Sequence, residues 1–226
     1  MIPWVELDRA TVPDGGGELR LMQRGDEFSI MAGATSLMTS RRTGSEEALA
    51  TIGCARIKNR TRPRVLIGGL GVGFTLRAAL DALPQDATIV VSELVPAVVA
   101  WAKGPLAAIF GASLSDPRVS IEETDVAAVI AAASAEYDAI LLDVDNGPEG
   151  LTRKDNDKLY DQQGLRTTRA ALRPRGILAV WSSGPDPRFT KRLATSGFDV
   201  EEVKTRANGP RGGPWHMIWI AAKPAR

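Results

Sequence analysis

The chain predicts an α/β fold: a Rossmann-like, mostly parallel sheet with an antiparallel last strand, preceded by a small N-terminal β-hairpin region. Three observations carry this. Short, largely apolar runs at 65–67, 88–91, 118–121, 139–142 and 177–181 alternate with helical stretches at 75–83, 96–103, 126–133 and 165–172. Apolar strands separated by helices call for a parallel sheet covered on both faces. The first 60 residues have a different texture, strand-like and punctuated by turns. A glycine-rich loop stands directly between the first strand and first helix of the alternating series.

The elements follow in order. Strands are predicted at 4–7, 18–23 and 27–30, and the second and third alternate apolar with polar residues. Arg24-Gly25-Asp26 between them is a hairpin signal, and Pro13-Asp14-Gly15-Gly16-Gly17 makes the preceding turn. Ser45 opens a short helix over 45–50, with Glu46 and Glu47 where the helix dipole favours acid. This divides the chain into a hairpin region with a linker helix, 1–60, and a Rossmann-like nucleoside-binding domain, 61–226. In the second part Pro96 starts a helix, as proline does best. A last helix at 191–196 precedes closing strands at 199–204 and 217–221. The turn-rich Gly209-Pro210-Arg211-Gly212-Gly213-Pro214 between those strands makes them antiparallel.

Composition narrows the function. The 226 residues carry 28 Lys and Arg against 27 Asp and Glu, a net charge of +1. Nucleic acid and anionic lipid call for a basic excess that this chain lacks. No apolar stretch is long enough to span a bilayer, and the N-terminal residues do not read as a signal peptide, so the expected setting is cytoplasmic. Cys54 and His216 are each the only residue of their kind, which excludes an intrachain disulfide and argues against a metal centre. Arg41-Arg42 and Lys58-Asn59-Arg60-Thr61-Arg62 read as solvated surface. The open edges of the N-terminal hairpins invite a second subunit, so a homodimer is expected.

The glycine loop reads Val65-Leu66-Ile67-Gly68-Gly69-Leu70-Gly71-Val72-Gly73. Glycines after a strand let the backbone turn tightly and approach a ligand, with the next helix offering unpaired N–H groups. A phosphate-cradling loop needs Gly-Lys-Ser/Thr, and Gly73-Phe74-Thr75 lacks the lysine. A dinucleotide fingerprint wants a third small residue where Phe74 stands. What remains is the spacing of Gly69, Gly71 and Gly73, suited to a nucleoside with an amino-acid-like tail. Glu93, 22 residues past Gly71 and just after the second strand of the series, is placed to accept from ribose hydroxyls. Asp125 follows the third strand, either beside a bound base or as the N-cap of the helix from Val126.

Leu141-Leu142-Asp143-Val144-Asp145-Asn146-Gly147-Pro148 follows the most hydrophobic strand. Ligands of open α/β sheets bind at the carboxyl ends of strands, so Asp143 emerges facing the glycine loop. There it can hold an amine or take its proton. Asp145 and Asn146 suit either the same site or a Gly-Pro turn. Trp181-Ser182-Ser183, past the fifth strand, is a candidate wall for an acceptor pocket or plain packing, and His216 reads as structural.

These residues resemble the spermidine synthases, aminopropyltransferases with the fold of class I S-adenosylmethionine-dependent methyltransferases. The resemblance runs from about residue 39 to residue 198. Residues 65–80 follow the family's strand, glycine loop and helix without a gap, including Thr75-Leu76-Arg77. Ser92-Glu93-Leu94 is similar to its Glu-Ile-Asp segment, Asp116-Pro117-Arg118-Val119 to its Asp-Pro-Arg-Val run, and Leu172-Arg173-Pro174-Arg175-Gly176 to its Leu-Lys-Pro-Gly-Gly run. Tyr137-Asp138-Ala139-Ile140-Leu141-Leu142-Asp143 resembles the segment ending in the catalytic aspartate. The resemblance implies Asp143 as catalytic residue; Gly69, Gly71, Gly73, Glu93 and Asp125 on the nucleoside; and Asp145, Asn146 and Glu47 toward a small-molecule amine. The donor it implies is S-adenosylmethionine or its decarboxylated form, without a metal.

Three departures stand out. Val72 occupies the position of the family aspartate that contacts the donor's amine. Asn146 replaces the second aspartate of the catalytic loop. The family's Tyr-(His/Gln)-Glu reads Ser45-Glu46-Glu47, retaining only Glu47. Loss of a carboxylate removes the charge that pairs with an ammonium group. Open alternatives are therefore aminopropyl transfer, methyl transfer from S-adenosylmethionine, a non-catalytic nucleoside-binding protein, and a structural protein with a vestigial pocket.

Overall fold

A computed structural model describes residues 2–41, 43–144, 147–148 and 156–225. Four strands, β1 (Val5–Thr11), β2 (Glu18–Arg24), β3 (Glu27–Ala32) and β4 (Thr35–Thr39), form an antiparallel meander in chain order. The helix α1 (Gly44–Ala55) follows. The second sheet then builds up through β5 (Arg64–Gly68), α2 (Phe74–Ala82), β6 (Thr88–Ser92), α3 (Pro96–Lys103), α4 (Ala107–Phe110), β7 (Val119–Glu122), α5 (Val126–Ala132) and β8 (Tyr137–Leu142). It closes with α6 (Asn156–Tyr160), α7 (Gln162–Ala171), β9 (Leu172–Ser182), α8 (Pro187–Thr195), β10 (Asp199–Arg206) and β11 (Trp215–Ala222).

The seven strands lie in the order β10-β11-β9-β8-β5-β6-β7, parallel from β9 to β7, with β10 and β11 antiparallel. This is the predicted α/β sheet with its separate N-terminal β-sheet. Chain direction across the sheet reverses between β5 and β8, which pair directly, Gly68 opposite Leu142. Crossovers diverge at such a switch point and leave a crevice at the carboxyl ends of the strands.

Period-2 alternation fills both faces of the sheet. Val65, Ile67, Leu141 and Ala179 point into one core, Leu66, Ile140, Leu142 and Val180 into the other. Val12, Leu19, Leu21 and Ile30 of the N-terminal region join the first core, so the small sheet packs over that face. The Trp101 indole of α3 donates to Asp8 Oδ2 of β1 at 2.7 Å and ties the two sheets together.

Several boundaries differ from the sequence reading. The helix read through 172 ends at Ala171 and Leu172 already pairs with Tyr137, because Pro174 cannot continue a helix. α8 begins at Pro187 rather than near 191: the Asp186 carboxylate accepts from the backbone of Arg188 and Phe189 at 2.8 and 3.1 Å and caps the helix. β4, α4 and α6 are additions. β4 carries no alternation strong enough to be read, and it exists because β3 offers it an edge. No helix among the described residues is long and apolar enough to cross a membrane.

Candidate functional site

The site grows from the β5–α2 loop. Gly68 ends β5, and its carbonyl accepts from Asp143 N–H at 2.9 Å, so the loops after β5 and β8 leave the sheet side by side. Gly69 has φ +92°, and a Cβ there would sit 2.5 Å from the Asp143 carbonyl oxygen. Gly73 caps α2 at φ +85°, where a side chain would run into the Phe110 ring. Backbone conformation and lack of space both demand glycine at these two positions.

Glu93, at the end of β6, is buried beneath this loop. One carboxylate oxygen accepts from Leu70 N–H and the other from Val95 N–H, each at 2.9 Å. Burial raises its pKa, and the surrounding backbone N–H groups oppose that rise. Asp125 caps α5, accepting from Ala127 N–H at 2.8 Å, and also lines the cleft. Both roles read for it in the sequence are thus geometrically compatible.

A single cleft brings Gly69, Gly71, Glu93, Asp125 and Asp143 together. Its other walls are mostly apolar: Leu94 and Val95 from the loop after β6, Val126 from α5, and Ile30, Leu37 and Met38 from the small sheet. The N-terminal sheet therefore roofs the crevice at the switch point. A smaller adjoining cavity is lined by Glu46, Val72, Gly73, Phe74, Asp143 and Trp181.

Asp143 joins the two cavities. Thr75, in the first turn of α2, donates to Asp143 Oδ2 at 2.6 Å. Burial raises the Asp143 pKa to about 6, with the Thr75 hydrogen bond acting against it. Glu46 faces the same space from α1. Its pKa rises to about 7, first from burial and then from the charge of Asp143, while a 2.7 Å hydrogen bond from Ser45 Oγ works the other way. Two carboxylates facing one cavity resist ionising together, and a cation between them relieves both.

Glu47 is exposed and lines neither cavity. The acidic residue that α1 presents to the site is Glu46. Helical phase explains it: Leu49, Ala50 and Gly53, on the inward face, stand three, four and seven residues beyond Glu46. That periodicity was the signal by which Glu46 could have been found. Thr75 and Ser45 carried none, since a hydroxyl in a first helical turn has a capping explanation. Trp181 does wall the smaller cavity. Asp145 and Asn146 lie outside the described residues. Among the described residues no group of three His, Cys, Asp or Glu side chains is arranged to hold a metal ion.

No protein-family model matches the chain. Among curated proteins, polyamine aminopropyltransferase 1 of Streptomyces coelicolor is 29% identical over 163 residues, which cover 68% of this chain and 29% of that protein. Putrescine N-methyltransferase 2 of Nicotiana tabacum is 36% identical over 118 residues, 52% of this chain and 31% of that enzyme. The matched stretches thus span less than a third of these relatives' length. Among solved structures, spermidine synthase from Thermotoga maritima superimposes with a TM-score of 0.76 at 18% identity, covering 98% of this chain and 74% of that one. A spermidine synthase in complex with the transition-state analogue AdoDATO gives 0.75 at 18% identity, covering 98% and 73%. The chain thus shares its fold with the spermidine synthases and is similar in sequence, over part of their length, to a polyamine aminopropyltransferase and a putrescine N-methyltransferase.

Proposed function

We propose that the protein is a transferase that moves an alkyl group from a sulfonium nucleoside, S-adenosylmethionine or its decarboxylated form, to a small amine. The observation that carries this is one continuous site with two chemically different ends. The glycine loop, Glu93, Asp125 and apolar Leu94, Val95 and Val126 suit a nucleoside, whereas Asp143 and Glu46 suit an ammonium group. The donor supplies an electrophilic carbon beside a sulfur that leaves as a neutral thioether. Glu93 receives ribose hydroxyls on its carboxylate, and Asp125 lies beside the base. Asp143 orients the amine and accepts the proton released as the N–C bond forms and the C–S bond breaks. A base with a pKa of about 6 is largely ionised at neutral pH yet still basic enough for this task. Most of the rate then comes from alignment of the amine in a site sheltered from water.

Methyl transfer is a second reading within the same chemistry, and Val72 is the observation that favours it. This valine stands in the glycine loop where the family has an aspartate, and its buried apolar side chain does not repel the carboxylate of S-adenosylmethionine as an aspartate would. The resemblance to a putrescine N-methyltransferase supports the same choice. Pairing of two copies through the N-terminal sheet, whose β1 edge exposes Val5 and Leu7, and a cytoplasmic setting complete the proposal.

Calorimetric titration with S-adenosylmethionine and its decarboxylated form, followed by turnover with putrescine, tests it. Tighter binding of the decarboxylated donor supports aminopropyl transfer; preference for the carboxylated donor supports methylation. Asp143→Asn should abolish turnover and leave nucleoside affinity within about twofold. Binding without turnover on any amine would make this a nucleoside-binding protein, and binding of neither donor would overturn the proposal.

A further inference from the structure

The first turn of α1, which carries Glu46, is held by the opposite end of the chain. Gly44 N–H donates to the Ala207 carbonyl at 3.0 Å, and a side chain at Gly44 would collide with the backbone of Asn208 and Gly209. Beside it His216, at the start of β11, places Nδ1 3.0 Å from the Oγ of fully buried Ser45. The ring of His216 also meets Trp181 edge to face, with centroids 4.9 Å apart and planes at 85°. His216 thus touches the supports of two walls of the smaller cavity, the Glu46 carboxylate through Ser45 and the Trp181 ring directly.

The proton count along this chain is informative. Ionised Glu46 cannot donate, so the single hydroxyl proton of Ser45 goes to Glu46 Oε2, at 2.7 Å. The Nδ1 of His216 then has to carry a hydrogen and donate to Ser45 Oγ. With Glu46 protonated, the same chain can run in reverse, ending with Nδ1 as acceptor. The state of the imidazole therefore follows the charge of Glu46.

We propose that His216 and Ser45 are positioning residues that hold the Glu46 carboxylate and the Trp181 ring in place, so that Glu46 selects a cationic amine as acceptor. The inference rests on the transferase reading above and adds to it the residues that set acceptor affinity. It also accounts for the departure at Val72, which lines the same cavity: charge missing at that position is supplied from α1. Among the described residues, the other acids acting on Glu46 are Asp143 from the end of β8 and Glu47 from its own helix.

His216 is the chain's only histidine, so a 15N-histidine-labelled sample gives one imidazole to follow. With methylthioadenosine bound, titration with putrescine should leave Nδ1 carrying hydrogen, and Ser45→Ala should abolish the response to the amine. In kinetics Ser45→Ala and His216→Phe, which keeps the ring edge but not the donor, should raise KM for the amine about tenfold, equivalent to about 1.4 kcal/mol. Both should leave kcat and methylthioadenosine affinity within about twofold. His216→Asn, whose amide nitrogen can replace Nδ1, should restore most of the amine affinity. A hydrogen-free Nδ1 in the amine complex, or variants that alter nucleoside affinity as much as amine KM, would overturn the inference. Putrescine that moves the imidazole signal in the methylthioadenosine complex, yet is not alkylated when either sulfonium donor is supplied instead, would sink the transferase reading and leave the relay standing.

Discussion

Thr75 Oγ donates to Asp143 Oδ2 at 2.6 Å, joining the first turn of α2 to the loop after β8. The bond exists because β5 and β8 pair in parallel and their following loops emerge together at the switch point. It gives a buried carboxylate one strong donor beside the positive end of a helix.

Thr75→Val should therefore move Asp143 further from an ordinary carboxylate. Its pKa lies at about 6 with the hydroxyl in place. Loss of the donor should shift the acid limb of the pH–rate profile upward by about one unit, equivalent to about 1.4 kcal/mol. Turnover near pH 6.5 should fall several-fold and recover at higher pH, while Thr75→Ser should behave like the parent. An unmoved acid limb would remove Asp143 from the role of base.

The paired acids also predict how stability depends on pH. Both Glu46, at about 7, and Asp143, at about 6, titrate above their usual unfolded values. Raised carboxyl pKa values favour the folded state at pH below the unfolded values, and that contribution is lost as pH climbs through the folded ones. The ligand-free protein should lose about 4 kcal/mol between pH 5 and pH 8, seen as a falling Tm. Glu46→Gln should flatten this dependence. Amine binding at pH 7 should release protons, measurable by calorimetry in buffers of different ionisation heat.

Glu93 separates scaffold from ligand contact. Its oxygens serve the backbone N–H groups of Leu70 and Val95. Glu93→Ala would leave both donors without this acceptor, each costing about 1–3 kcal/mol, and should lower the unfolding midpoint sharply. Glu93→Gln keeps one accepting oxygen and should fold better. If the carboxylate also takes ribose hydroxyls, the Gln variant should bind methylthioadenosine about tenfold more weakly, about 1.4 kcal/mol. Unchanged affinity would confine Glu93 to shaping the loop.

Gly73→Ala should be costly for two reasons at once. The position has φ +85°, and its added methyl would meet Phe110. A left-handed residue alone costs about 1–2 kcal/mol, and the clash adds to it. Thermal unfolding should show a loss of at least about 2 kcal/mol, with nucleoside affinity reduced in parallel as the N-terminus of α2 shifts.

Much of this was legible in the residues themselves. Val65, Leu66 and Ile67 announce a strand buried on both faces because nothing polar interrupts them. The glycines at 69, 71 and 73 mark a backbone turn without side chains, and Glu93, Asp125 and Asp143 fall at strand ends, where α/β sheets gather ligands. These are local patterns, and local patterns determine element type and the ends at which side chains emerge.

Other features belong to tertiary structure alone. Helical phase marks Glu46 as inward, but what it meets there depends on how α1 seats against the large sheet, and the first turn of that helix is fastened by Ala207 and His216, more than 160 residues away. The roof over the cleft depends on β4 finding an edge on β3 and on Trp101 reaching Asp8 across two sheets. The raised pKa of Asp143 arises from burial, and that of Glu46 from burial and the charge of Asp143. The α/β scaffold and the glycines and acids at its strand ends were set by the residues alone, because periodicity and turn chemistry act over a few residues. The cavity of Glu46 and Asp143 needed the folded chain, because charge interaction and burial depend on distance in space, and the groups concerned come from α1, α2, β11 and the end of β8.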